Sequence, residues 1–131
     1  MELNYLAIVV AAVVAFVMSS AWYIGFGSQL AGLNAAYADA DAASMPPWKI
    51  LVELGRSLVV AAVLAGLAEQ IGTSGLAGAV VLGLVTWIGF PFIILAGSVI
   101  HENVPWKLAA IHAGDWLVKL IVIAAIVGLW R

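Results

Sequence analysis

Between Leu3 and Ala38 the chain carries no Asp, Glu, Lys or Arg. A bilayer crossing needs roughly 20 predominantly apolar residues, so this run is long enough to span. In water it would have to be hidden. A chain of 131 residues has too little interior for that, because small domains leave a large share of their surface exposed. The remainder repeats the difficulty, since the whole chain is 66% hydrophobic and only 9% charged. Soluble domains are roughly a quarter charged. A soluble monomer is excluded. Five Lys+Arg against seven Asp+Glu make no basic footprint, which argues against a nucleic-acid partner. With no cysteine there is no disulfide scaffold and no thiolate metal site. The expectation is a multi-pass protein of the cell (inner or plasma) membrane, with the lipid bilayer as its first partner.

The opening Met1-Glu2 is acidic where a cleavable signal is basic, so the first run is expected to be a span. Span one is placed at about 4–23. Gly25, Gly27 and Ser28 then open a small-residue connector that contains Asp39 and Asp41 and ends at Pro46-Pro47. Proline suits the first turn of a helix, so span two runs over about 48–71 and stops at Gly72. Span three covers about 75–100, with a kink expected at Pro91 between Gly89 and Gly97. Span four covers about 106–130. Only helices and closed barrels satisfy the backbone in lipid, and the runs lack a barrel's period-two alternation. The predicted fold is all-α: one transmembrane domain over 1–131, a bundle of four helices.

Four spans put the N-terminus, the Gly72 turn and the C-terminus on one face, side A. The 24–47 connector and the His101 turn share the other, side B. Trp22, Trp48 and Trp106 fall at side-B helix ends and Trp130 at side A, where amphipathic rings favour the interface. Lys49 and Lys107 on side B nearly balance Arg131 and the amino terminus on side A, and the reading leans to side B as cytoplasmic. Trp22-Tyr23-Ile24-Gly25-Phe26 is echoed by Trp87-Ile88-Gly89-Phe90, and Pro47-Trp48-Lys49-Ile50 by Pro105-Trp106-Lys107-Leu108. This order predicts two tandem helical hairpins, about 1–71 and 75–131, although Trp-Lys at a helix entrance is also a generic anchor.

Ala7, Ala11, Ala15 and Ser19 recur at four-residue spacing in span one, as do Gly75, Ala79 and Gly83 in span three. Such stripes let helix backbones approach closely. The ionisable residues are more telling. Span two holds Glu53 and Arg56; span four holds His112, Asp115 and Lys119. Spacings of three and seven put each set on one helical face. Counted from Trp48, Glu53 lies ~8 Å and Arg56 ~12 Å along the helix. Counted from Trp106, His112 lies ~9 Å, Asp115 ~14 Å and Lys119 ~20 Å along. The depths match, so Glu53 is expected beside His112 and Arg56 beside Asp115. An unpaired charge at mid-bilayer costs at least ~2.5–3.5 kcal/mol, so these groups must pair or face water. Two readings stand: salt bridges across spans two and four that hold the bundle together, or a polar pathway that takes a small solute or ion.

Glu69 and Gln70 are read as reaching the headgroups, and Trp87 and Trp116 as packing residues. His101 and His112 lie either side of Pro105, an arrangement that does not suit a haem. No Ser-His-Asp arrangement, phosphate loop or metal motif is present, so no enzyme activity, cofactor or metal is expected.

The phrases Asn4-Tyr5-Leu6-Ala7, Ala21-Trp22-Tyr23, Trp106-Lys107-Leu108 and Ala113-Gly114 resemble the domain of unknown function 1761 family of small bacterial four-span membrane proteins. The last span departs from that family's pattern, which has Asn near His112 and Tyr near Asp115. The resemblance implies fold, topology and membrane location, and no activity. The chain has the size of the small multidrug transporters but lacks their first-span glutamate, so their proton-coupled export is not carried over. The leading expectation is a homo-oligomeric small-solute or ion transporter or channel. The alternative is a membrane scaffold or accessory subunit whose charges are structural.

Overall fold

The computed structural model describes residues 2–37, 46–73 and 75–130. Asp39, Asp41 and Arg131, placed above in the connector and on side A, lie outside them. The described residues are helical and include no strand. Helix α1 is Tyr5–Gly25, α2 is Gly27–Leu33, and a 3-10 turn follows at Ala35–Tyr37. Helix α3 is Pro47–Ile71. Helix α4, Gly75–Trp87, runs through a π-helical turn at Ile88–Phe92 into α5, Ile93–Glu102. Helix α6 is Trp106–Leu129. Four helical stretches are long and apolar enough to cross a membrane: α1, α3, α4 continued through α5, and α6. Each lies within two residues of its predicted span.

Local chemistry sets the ends. The Asn4 side chain accepts a hydrogen bond from the Ala7 N–H and caps α1. Pro47 opens α3 where its missing N–H costs nothing. Gly72, at φ +74°, closes α3 in a Schellman arrangement: its N–H reaches Glu69 O and the Thr73 N–H reaches Ala68 O. Pro91 falls inside the π turn. Its ring would clash with the carbonyl four residues back in a regular helix, and the wider turn accommodates it. The connector after α1 is more ordered than its glycines suggested. Leu30, 1% exposed, docks α2 on Leu108 and Ile111 of α6, and that burial outweighs the weak helix propensity of Gly27 and Gly32.

Helix α6 is central and packs against α1, α3 and α4; α1 also packs along α3. The side-A half of the bundle is closed. Ala11, Ala12 and Ala15 of α1, Ala61, Ala65 and Ala68 of α3, and Ile123 and Ala124 of α6 form a core of small side chains. Small side chains permit the close backbone approach on which helix association in lipid depends. Asn4 Nδ2 donates to Trp130 O at 3.3 Å and ties the two termini together across this end. The packing does not confirm the predicted tandem repeat. An axis exchanging the two hairpins would make α3 touch α4 as extensively as α6 touches α1, and it does not. Gly75 also departs from its expected packing role, since it is exposed at φ +75° with open space around it. It serves the turn, while Ala79 and Gly83 are buried against α6.

Candidate functional site

In the side-B half the three helices α1, α3 and α6 separate around a cleft of about 960 Å³. All five intramembrane ionisable residues line it, together with Lys49. From α1 come Ser19, Ser20 and Tyr23, and Tyr37 of the 3-10 turn stands beside them. The cleft ends towards side A at the alanine-rich core.

Asp115 is the buried anchor, 4% exposed. One of its oxygens, Oδ1, accepts from Ser19 Oγ at 2.6 Å, and Oδ2 lies 3.2 Å from Lys119 Nζ. That ammonium also sits 4.4 Å from the centre of the Trp116 ring, a cation–π contact. Higher in the cleft, Tyr23 Oη and His112 Nδ1 share a hydrogen bond of 2.6 Å. The Tyr23 ring stacks on Tyr37 at 6.5 Å, nearly parallel at 5°. Burial pushes the Tyr37 phenol above its ordinary range, and the Glu53 carboxylate adds to that. Glu53 Oε1 pairs with Arg56 Nη1 at 2.6 Å along α3 itself.

The expected pairing across α3 and α6 does not form. Arg56 pairs with Glu53 instead of Asp115, and His112 pairs with Tyr23 instead of Glu53. The reason is local reach. Lys119 follows Asp115 by four residues on the same helical face, so its flexible stem delivers the ammonium without any movement of α3. Ser19, read from sequence as a packing residue, supplies the second donor from the neighbouring helix. At this depth α3 and α6 stand on opposite walls of the cleft.

Two tryptophans fix how α6 presents its polar face. Trp22 Nε1 donates to Ile111 O at 3.0 Å and Trp87 Nε1 to Ala113 O at 2.8 Å, so α6 is held from both sides around His112. Trp22 therefore points inward from the helix end where it was expected as an interfacial anchor. Trp48, Trp106 and Trp130 are exposed. Trp22 fits only because residue 114 is glycine: a Cβ there would meet its ring carbons at 2.5 and 2.9 Å. Gly114→Ala is expected to overpack this contact by about 1–3 kcal/mol. Thermal unfolding in detergent checks it, with Gly55→Ala, where a Cβ meets open space, expected to be neutral or stabilising.

Trp87 and Trp116 both pack against the core, and Trp116 faces the cleft as well. His101 is exposed at the end of α5, and Glu69 is half-buried beside a small side-A void lined by Asn4 and Trp130. Sequence reading missed Tyr23, Tyr37, Ser20 and Ser57 as lining residues. Tyr23 alone carried a signal, as a phenol within helical reach of the charged face of span four. Among the described residues no group of three or more His, Cys, Asp or Glu is placed to hold a metal.

Fold and site together define an all-helical protein with four helices long and apolar enough to cross a membrane and a polar cleft between α1, α3 and α6. The chain belongs to the family described as Protein of unknown function (DUF1761), which it matches over residues 6–128. No curated protein and no solved structure matches it.

Proposed function

We propose that the protein binds a small solute in the α1–α3–α6 cleft and moves it across the cell membrane. The observation that carries this reading is how the charges pair. Charges that serve only to join helices bridge them, yet both ion pairs of the cleft lie within single helices, Glu53 with Arg56 and Asp115 with Lys119. They neutralise the walls and leave the space between them open. Intramembrane ionisable groups at a water-filled cavity mark solute or ion pathways in membrane proteins. The closed side-A half and the cleft on side B fit a carrier seen with access from one face, in which a pathway opens by rearrangement of the bundle.

The chain has no cysteine, so single cysteines report directly on water access. Ser20→Cys and Val52→Cys, in the cleft, are expected to react with a membrane-impermeant thiosulfonate added from side B, because the reactive thiolate needs water. Val59→Cys and Val63→Cys, on the outer face of α3, are expected to stay unlabelled in lipid. Uptake of small charged and zwitterionic solutes by proteoliposomes is expected to fall for Asp115→Asn. Unreactive cleft cysteines, or no flux for any solute tested, would favour the scaffold.

A further inference from the structure

We infer that the cleft selects a singly charged organic anion with an apolar, ring-sized body. This rests on the reading of the cleft as a wet solute site and names the class of solute. The described lining contains three cations, Lys49, Arg56 and Lys119, but only two carboxylates, Glu53 and Asp115. By formal charge, with histidine counted as neutral, the described lining carries one positive charge in excess. Asp115 is engaged through both oxygens and Glu53 through one. Asp115 accepts from Ser19 and sits against Lys119, and Glu53 receives Arg56. A cationic solute would meet only the second oxygen of Glu53, on a carboxylate that already holds the Arg56 guanidinium.

An anion meets the opposite situation. Arg56 makes one hydrogen bond, to Glu53, and its side chain remains 60% exposed, so most of its N–H donors are open to a carboxylate or phosphate. The cation in excess is Lys49, exposed beside Trp48 at the start of α3, and its charge draws an anion towards Arg56 from that end of the cleft. Rings of Lys and Arg select anions in pores on the same principle. One excess charge matches a monoanion and leaves a dianion overcharged. The body of the solute is read from the aromatic walls. Tyr23, Tyr37 and Trp116 give the lining its aromatic character, and about 960 Å³ admits a ligand at the large end of the roughly 300–1,000 Å³ range of small-molecule sites.

A soluble aromatic carboxylate and an anionic lipid headgroup share this chemistry. Arg56 lies ~12 Å beyond Trp48 along α3, so a lipid would have to pull its headgroup well below the interface. That depth favours the soluble anion.

The test is calorimetric binding of 3-phenylpropionate to the purified full chain in phosphatidylcholine nanodiscs. The charge controls are 3-phenylpropylammonium and 3-phenylpropanol. Both are expected to bind at least about tenfold more weakly than the carboxylate, a difference of about 1.4 kcal/mol. Arg56→Gln should weaken the carboxylate by about the same tenfold factor, and Arg56→Lys by less. Glu53→Gln should tighten it, because the open guanidinium gains a full positive excess; a purely structural pair would not produce that gain. Nanodiscs containing phosphatidylglycerol separate the sources. Unchanged carboxylate affinity identifies a soluble anion, and competition relieved by Arg56→Gln identifies the lipid. Preference for the ammonium, or carboxylate affinity indifferent to both Arg56→Gln and Glu53→Gln, overturns the inference. If the cleft cysteines label and the carboxylate still fails to bind, the anion assignment falls and the solute site stands. If they do not label, both fall.

Discussion

Lys119→Met is expected to destabilise the protein by about 3–5 kcal/mol, the range for removing one partner of a buried ion pair. The side chain of Asp115 is 5% exposed and that of Lys119 12%, so the carboxylate has little water to take the place of the ammonium. Without the ammonium, Asp115 keeps only the Ser19 hydroxyl, about 14 Å along α6 from the interfacial Trp106. Methionine preserves the length and much of the volume of the lysine stem, so lost packing contributes little. Asp115→Asn should cost less. The amide still accepts from Ser19, and Lys119 retains Trp116 and a long stem that can swing its charge into the cleft. The double variant, Asp115→Asn with Lys119→Met, removes both charges and should recover most of the stability lost by Lys119→Met. Denaturant unfolding in mixed micelles measures the cycle. Lys119→Met as stable as wild type would mean that Asp115 is already reached by water, and the dry anchor at the cleft's end would be wrong.

That pair shows how far the residues alone could be read. The spans were legible because a charge-free run can be satisfied in lipid in few ways, and because Pro47, Gly72 and Pro105 mark helix ends by backbone chemistry that does not depend on neighbours. The five ionisable residues were legible for a similar reason. Lipid does not tolerate them alone, so their scarcity picked out one region, and the structure gathers them around one cleft. Their pairing was not legible. Matching depth along two helices says that Arg56 and Asp115 are level, but it does not fix how far apart α3 and α6 stand. A cleft turns level neighbours into opposite walls. Once the helices part, each charge takes the partner one turn away on its own helix, as Glu53 and Lys119 show. The inward turn of Trp22 was hidden similarly: its position at a helix end suits an interface, and only Gly114 on the facing helix makes room for it. The helix at Gly27–Leu33 owes its order to Leu30, whose burial depends on a partner more than seventy residues away in the chain.

Gly83→Ala is expected to be the most damaging single-methyl addition in the bundle, and its effect should reach the cleft. A Cβ at residue 83 would lie 2.8 Å from Ile121 Cα and 3.1 Å from Ile121 N, both backbone atoms of α6. A clash with a side chain is relieved when that side chain moves, which at Gly114 means displacing the Trp22 ring and its bond to Ile111 O. Backbone atoms of a helix move only with the helix, so α4 and α6 must separate. The expected loss is at the upper end of about 1–3 kcal/mol for overpacking, despite alanine's higher helix propensity. Gly66→Ala, where a Cβ meets open space, is the matched control and should be neutral or stabilising. Separation also strains the bond from Trp87 Nε1 to Ala113 O, which holds α6 from the α4 side next to His112. Gly83→Ala should therefore raise the labelling rate of Ser20→Cys from side B as well as lower the unfolding midpoint. A stability loss with unchanged cleft labelling would confine α4 to a buttress of the core and detach it from the site. Unchanged stability would show that α4 and α6 do not meet at backbone contact.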